Sequence, residues 1–311
     1  MMRWAIFLIL FFLVLMAFAP VTKHSVLVIN ANFSNVYQSL NNPQNWVKWQ
    51  PDLKDHAGNT AFKNESANAQ FEITGKGIKF KVKKNGLTDF DILKTRSGSG
   101  NSEYNYILIA DSSTLKTDVF VMQKTNLLGY LKSFLVGDSY KGTPVNDLKV
   151  YMEDPRLYYG YEITEQIAHE KILIIKRRTI LKDLVYKNNQ AFLKSLDSIA
   201  KKNGAVVTDA MQLQYISAVG DSVTMIMGLP VNKKISTKGD AENMGMPGGK
   251  VLVGHFKGKY SDRKKLYRAM QLYLADHFMH TQTLPLEKFT HNKLPVNDDD
   301  KVDMQLVVPY L

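Results

Sequence analysis

The chain has 311 residues, 45% of them hydrophobic and 22% charged, with no low-complexity tract. That is enough for two domains that each bury a core, and it excludes a disordered or fibrous chain. Forty basic and twenty-nine acidic residues leave a net charge of +11. The signs are interspersed and no arginine cluster carries interleaved aromatics, which argues against a nucleic-acid partner.

Behind Arg3, residues 4–19 form an almost unbroken apolar run, closed by Pro20, Val21, Thr22 and Lys23. Two readings compete. Ala17-Phe18-Ala19 has the small-x-small form of a secretory cleavage site. Pro20 would then follow the cut, where a ring without an N–H suits an extended substrate poorly. Residues 1–23 are therefore expected to be an uncleaved single-pass anchor, short but within spanning range. Arg3 and Lys23 nearly balance across it, and the short tail before the run points to soluble domains outside the cytoplasm. The absence of cysteine fits either compartment.

Next, residues 25–31 read as a strand. Asn32 or Ser34 caps a short helix carrying Val36, Tyr37 and Leu40. Asn41-Asn42-Pro43 breaks it and opens a turn with Trp46 and Trp49, ended by Pro51. Strands are predicted at 69–74, 77–83, 87–94, 104–110 and 115–124, with Asn85-Gly86 as a two-residue hairpin. Lys79, Lys81 and Lys83 alternate with Ile78, Phe80 and Val82, the pattern of a strand with one wet face. Attraction to an anionic membrane surface is the other reading of these lysines. Helical periodicity returns with Leu127, Leu128, Leu131, Phe134 and Leu135. Thr143 then caps a segment with Val145, Leu148 and Met152 that Asp154-Pro155 stops.

The opening stretch HSVLVINANFSNVYQSLNNPQNWVKWQPDL, with its strand, capped helix and Asn-x-x-x-Trp turn, resembles the START-like superfamily, which includes polyketide cyclases and dehydrases. The resemblance implies a helix-grip domain over 24–157, with a cavity for apolar molecules. Trp46 and Trp49 are candidate ligand-binding residues at its mouth, or else core plugs.

From Tyr158 the chain repeats itself. Residues 172–174 and 251–253 lie 79 positions apart, and Met225 to Pro230 stands at the same spacing from Met304 to Pro309. Each half has one amphipathic helix, marked by Phe192, Leu196 and Ile199 in the first and by Leu266, Met270 and Tyr273 in the second. Two strands then close each half, at 211–217 and 223–231, and at 287–291 and 302–309. The halves span 158–238 and 249–311, joined by a Gly/Met-rich linker at 239–249. Each unit needs a partner to cover its open face, so the two are expected to pack as a pseudo-dimer.

Three stretches, VLVGHFKGKYSDR, LPLEKFTHN and DMQLVVPYL, resemble the gyrase-inhibitor-like (GyrI-like) domain, also the effector-binding module of some AraC-type regulators. The fold class is therefore α+β, a helix-grip domain followed by a duplicated strand-helix-strand-strand domain. No helix-turn-helix candidate is found, which disfavours transcriptional control. The resemblance places Glu287 on the strand facing the ligand cleft. A carboxylate among aromatics attracts a cation; the alternative is a solvated strand glutamate beside Lys288. Phe289, Tyr260 and, from the first half, Tyr215 are its candidate companions. Some relatives of this domain are reported as hydrolases that use the glutamate, but no second catalytic group is identifiable, so no catalytic residue is assigned. His277, His280 and His291 match no metal-ligand spacing, and neither metal nor cofactor is expected. The function expected is a membrane-tethered, non-catalytic protein that binds or senses an apolar or cationic small molecule. The alternatives are a hydrolase or cyclase with Glu287 as base, and an inhibitory interaction module for a partner protein.

Overall fold

The computed structural model describes residues 19–54, 60–65, 69–98, 100–111, 113–127, 130–131, 143–237 and 239–311. Two antiparallel sheets with few helices give an α+β architecture, and the chain divides into two units, Met1–Asp154 and Pro155–Leu311.

In the first unit, β1 (Pro20–Ile29) leads into α1 (Phe33–Asn41). The Asn32 side chain accepts from the Asn35 N–H at 2.9 Å and satisfies one of the orphan donors of the first turn. Asn42 ends α1 by donating its N–H to Gln38, and its side chain accepts from Gln44 at the start of α2 (Pro43–Trp49). Pro43 sits where its missing N–H costs nothing. After α3 (Pro51–Lys54) come β2 (Ala61–Glu65), β3 (Gln70–Gly75), β4 (Ile78–Lys84), β5 (Asp89–Arg96), β6 (Gly100–Asp111), β7 (Lys116–Asn126) and α4 (Pro144–Glu153). The strand order is β1-β7-β6-β5-β4-β3-β2. Ile78, Phe80 and Val82 are buried while Lys79 and Lys83 are exposed, as the alternation requires. Trp46 lies 5.3 Å from Phe80 and 4.5 Å from Trp49, ring to ring. Both indole N–H groups donate to backbone carbonyls, Trp46 to Leu40 and Trp49 to Ser39. Lys149 on α4 donates to the Val28 carbonyl, and Glu153 accepts from the Asn30 N–H, tying this helix to β1.

Several expectations are corrected here. Pro20 to Lys23 do not belong to the expected anchor segment 1–23: they begin β1, with Thr22 opposite Lys124 and Lys23 opposite Gln123. A first strand position tolerates proline because no ladder donor is lost there. Asn85-Gly86 is not a two-residue turn. Asn85 donates to the Asp89 carbonyl across a wider loop, and Gly86 lacks the positive φ that such a turn demands. The strand β2 lies in a stretch for which no element was expected. The apolar run 4–18 and most of the stripe at 127–135 lie outside the described residues. Among those described, no helix is long and apolar enough to cross a membrane.

The second unit runs through α5 (Pro155–Tyr158), β8 (Ile163–Ala168), β9 (Lys171–Leu181), α6 (Val185–Lys202), β10 (Gln212–Val219) and β11 (Ser222–Val231). It continues with β12 (Ala241–Met246), β13 (Gly249–Lys259), α7 (Arg263–Asp276), β14 (Leu286–Phe289) and β15 (Lys301–Pro309). The order β12-β9-β11-β10-β14-β15-β13-β8 is a palindrome of the two halves. The halves therefore do not cover one another face to face. They join edge to edge through β10 and β14, with Leu213 opposite Glu287, which pairs two strand edges that each half alone would leave open. Strand β8 of the first half also pairs with β13 of the second. The Gly/Met-rich stretch is also more than a linker, because β12 within it pairs with β9 from Ala241 to Met246. Helices α6 and α7 cover one face of the sheet. Gly254 on β13 lets α7 approach closely: a Cβ there would stand 2.7 Å from the Met270 sulfur and 2.8 Å from Leu266 Cδ1. His277 is the C-cap of α7, and His280 lies beyond it.

Candidate functional site

Glu287 occupies the short strand at the join of the two halves, opposite Leu213 on one side and Leu306 on the other. Period-two alternation turns it toward the helices, and it is 1% exposed. Tyr260, in the turn that opens α7, with Arg263 and Tyr267 on its first two turns, follows a three-and-four spacing and so lies on one helical face. Tyr260 donates to Glu287 Oε2 at 2.6 Å. Arg263 Nε and Tyr267 donate to Oε1 at 2.8 and 2.9 Å. The Arg263 guanidinium also lies over the Tyr260 ring, 3.6 Å from its centroid, and Nη1 donates to the Tyr260 carbonyl.

The first half contributes Tyr215, whose hydroxyl is 2.9 Å from that of Tyr260. Since Tyr260 gives its proton to Glu287, Tyr215 is the donor of this pair. A β-bulge between Tyr215 and Ser217 interrupts the ladder just beyond it. Tyr186 on α6 stands edge-on to Tyr260, with centroids 6.0 Å apart, and donates to Asp298 at 2.5 Å. The acidic loop before β15 holds the helix start: the Tyr260 and Ser261 N–H groups donate to the carbonyls of Asp300 and Asp298. Asp209, just before β10, accepts from Lys171 at 2.5 Å and from Lys288 at 2.8 Å.

Electrostatically the cluster is one ion pair among neutral phenols. Burial and then the Glu287 charge push Tyr215 up to about 12. The same two causes raise Tyr260 and Tyr267, and burial with the Asp298 bond raises Tyr186. Burial works against the charge on Arg263, but Tyr260 and Glu287 outweigh it and its affinity for the proton rises. Every phenol is therefore a hydrogen-bond donor at neutral pH.

Of the residues singled out from sequence, Glu287, Tyr260, Tyr215 and Phe289 meet here. Phe289 is fully buried, 6.1 Å from the Tyr260 ring, and belongs equally to the apolar core. Trp46 and Trp49 lie in the other unit and fill its interior; neither lines a cavity described here. Arg263, Tyr267, Tyr186 and Asp298 were not anticipated. The helical spacing of Tyr260, Arg263 and Tyr267 was the available signal for two of them. Among the described residues no group of three or more histidines, aspartates or glutamates could hold a metal.

Two of the cavities among the described residues lie elsewhere. One, of about 470 Å³, opens on the first unit's sheet among Lys81, Lys83, Asp91, Glu103 and Lys124. The other, of about 180 Å³, lies on the helix-free face of the second unit's sheet.

No protein-family profile matches this chain, and no curated protein does. Solved structures give partial likenesses. The EcmrR–DNA complex in EcmrR-RPo is 16% identical with a TM-score of 0.41, over 48% of this chain and 57% of that chain. A START superfamily protein from Mycobacterium smegmatis is 10% identical with a TM-score of 0.30, over 42% and 97%. SAV2435 bound to tetraphenylphosphonium is 12% identical with a TM-score of 0.30, over 48% and 94%. These neighbours include a small-molecule-binding and a START superfamily structure.

Proposed function

We propose that the second unit is a small-molecule-binding domain of GyrI-like type, that its ligand is cationic, and that the ligand's charge takes the place of Arg263 beside Glu287. One observation carries this reading: a carboxylate 1% exposed, ringed by phenols, with a single guanidinium as its counter-charge. A buried charge is tolerable only when paired. Arg263 supplies that pairing and, at 16% side-chain exposure, also reaches the surface. Exchanging one cation for another leaves Glu287 neutralised, so only the difference in contacts decides occupancy. Catalysis by Glu287 as base is less well supported, because three donors already engage its two oxygens and one of them is cationic.

The test is titration of the full chain with tetraphenylphosphonium. Glu287→Gln is expected to weaken binding by about tenfold or more, and Arg263→Ala to tighten it. Equal binding in wild type and Glu287→Gln sinks the reading. An interaction module is the second reading, favoured by Val26, Val28, Ile109 and Phe120, which are exposed on the first unit, with Val26 directly opposite Phe120. Placement at a membrane rests on the apolar run 4–19, and assignment of the first unit to the START-like helix-grip class rests on its opening residues. Recovery of the full chain in a carbonate-washed membrane fraction tests the first of these.

A further inference from the structure

The cavity on the helix-free face of the second unit lies across the same sheet from Glu287 but shares no side chain with its cluster. Alternation separates the two faces. Leu173, Ile175 and Ile226 turn toward the cavity, whereas Ile174, Met225 and Met227 belong to the core under the helices. The edge strand β12, with Met244 and Met246, and the glycine-rich turn that follows also line it. Gly228 forms part of the floor, where a Cβ would stand 2.7 Å from Leu173 Cδ2 and 3.3 Å from Ile175 Cγ2. A side chain there would crowd the apolar floor.

Gln212, Gln214, Lys250, Gln282 and Thr283 interrupt this apolar lining. Gln212 is 6% exposed, lines the cavity, and its amide oxygen has no hydrogen-bond partner among the described residues. A buried amide left unpaired costs about 1–3 kcal/mol, so such groups ordinarily find a partner. Its neighbour Gln214 does, donating to the Leu284 carbonyl at 2.8 Å. Lys250, at an exposed position of β13, is the one charged residue of the lining, and a cavity of about 150 Å³ lined by aliphatic side chains accommodates a benzene-sized molecule. We propose that this cavity is a second ligand site, which takes a small uncharged molecule with a flat apolar body and one hydroxyl that hydrogen-bonds the Gln212 amide. The amide offers a donor and an acceptor, so a hydroxyl satisfies it in either rotamer. The site is independent of the cation reading at Glu287.

The test uses the full chain with ¹³C-methyl methionine and two probes of equal shape, p-cresol and p-xylene. In wild type p-cresol shifts the Met244 and Met246 methyl resonances. Gln212→Leu weakens p-cresol about tenfold while p-xylene binds as well as before or better, and the variant melts no lower than wild type because a buried unpaired amide is gone. Glu287→Gln leaves both titrations unchanged. Absence of a shift at either methyl overturns the proposal. So does equal p-cresol affinity in wild type and Gln212→Leu, or a parallel loss of both probes.

Discussion

Glu287 shows how one side chain is tolerable inside a protein only through its neighbours. Its charge is matched by Arg263, and its oxygens are filled by Arg263, Tyr260 and Tyr267. Glu287→Gln removes the charge but leaves the largely buried guanidinium unpaired, which is expected to cost about 2–4 kcal/mol in urea unfolding. The double variant Glu287→Gln/Arg263→Met recovers a large share of that loss, because no unpaired charge remains; additive losses would show that the pair is not coupled. Asp209 offers a second test. Burial works against its charge, yet hydrogen bonds from Lys171 and Lys288 hold its carboxyl below the ordinary range. A carboxylate with a lowered folded pKa contributes stability above its unfolded value, about 3.9, and loses it as pH falls through the folded value. Asp209→Asn is expected to cost about 1–2 kcal/mol at pH 7 and nothing once pH has fallen below the folded value. Melting curves of both proteins from pH 7 to pH 2 check this; a gap that stays constant refutes the assignment.

At the scale of elements, the site depends on how closely α7 lies on the sheet. Gly254 lies beneath the helix, where a Cβ would press on the side-chain ends of Leu266 and Met270. Gly254→Val is expected to lift the helix, cost about 1–3 kcal/mol, and weaken the bonds from Arg263 and Tyr267 to Glu287. Hydrogen exchange reads this directly: protection in α7 falls while that in α6 is preserved. The edge strand β12 is pinned by a different device. Asn243 accepts from the Ile235 N–H at 3.1 Å and donates to the Ile235 carbonyl at 2.7 Å. Asn243→Ala therefore loses about 1–2 kcal/mol of local stability, seen as faster proteolysis between residues 232 and 246 with no change in the rest of the unit.

Across the whole molecule, two cores of different composition can be observed separately. The three tryptophans are Trp4, Trp46 and Trp49, so the second unit carries none. Tryptophan fluorescence consequently follows the first unit, where Trp46 and Trp49 are buried, whereas circular dichroism reports both. Units that each bury a core of their own are expected to unfold separately. Glu287→Gln then lowers the transition seen by circular dichroism and leaves the fluorescence midpoint in place. A common shift of both would show that the units unfold as one.

The sequence by itself determined the local features. Asn32 caps α1 because a short acceptor precedes an apolar helix, β4 alternates because its lysines and aliphatics do, and the 79-residue repeat is legible in matching strands. It also placed Glu287, Tyr260, Tyr215 and Phe289 among the candidates. Only the tertiary structure decided how these come together. Repetition says that two halves exist but not which edges pair, and β10 against β14 is settled by strand edges distant in sequence. The Gly/Met-rich stretch has little intrinsic strand propensity, and β12 forms because β9 offers it an open edge. Arg263 reads from sequence as one more surface cation. Its role beside Glu287 follows from the close approach of α7 at Gly254, a distance no local pattern encodes.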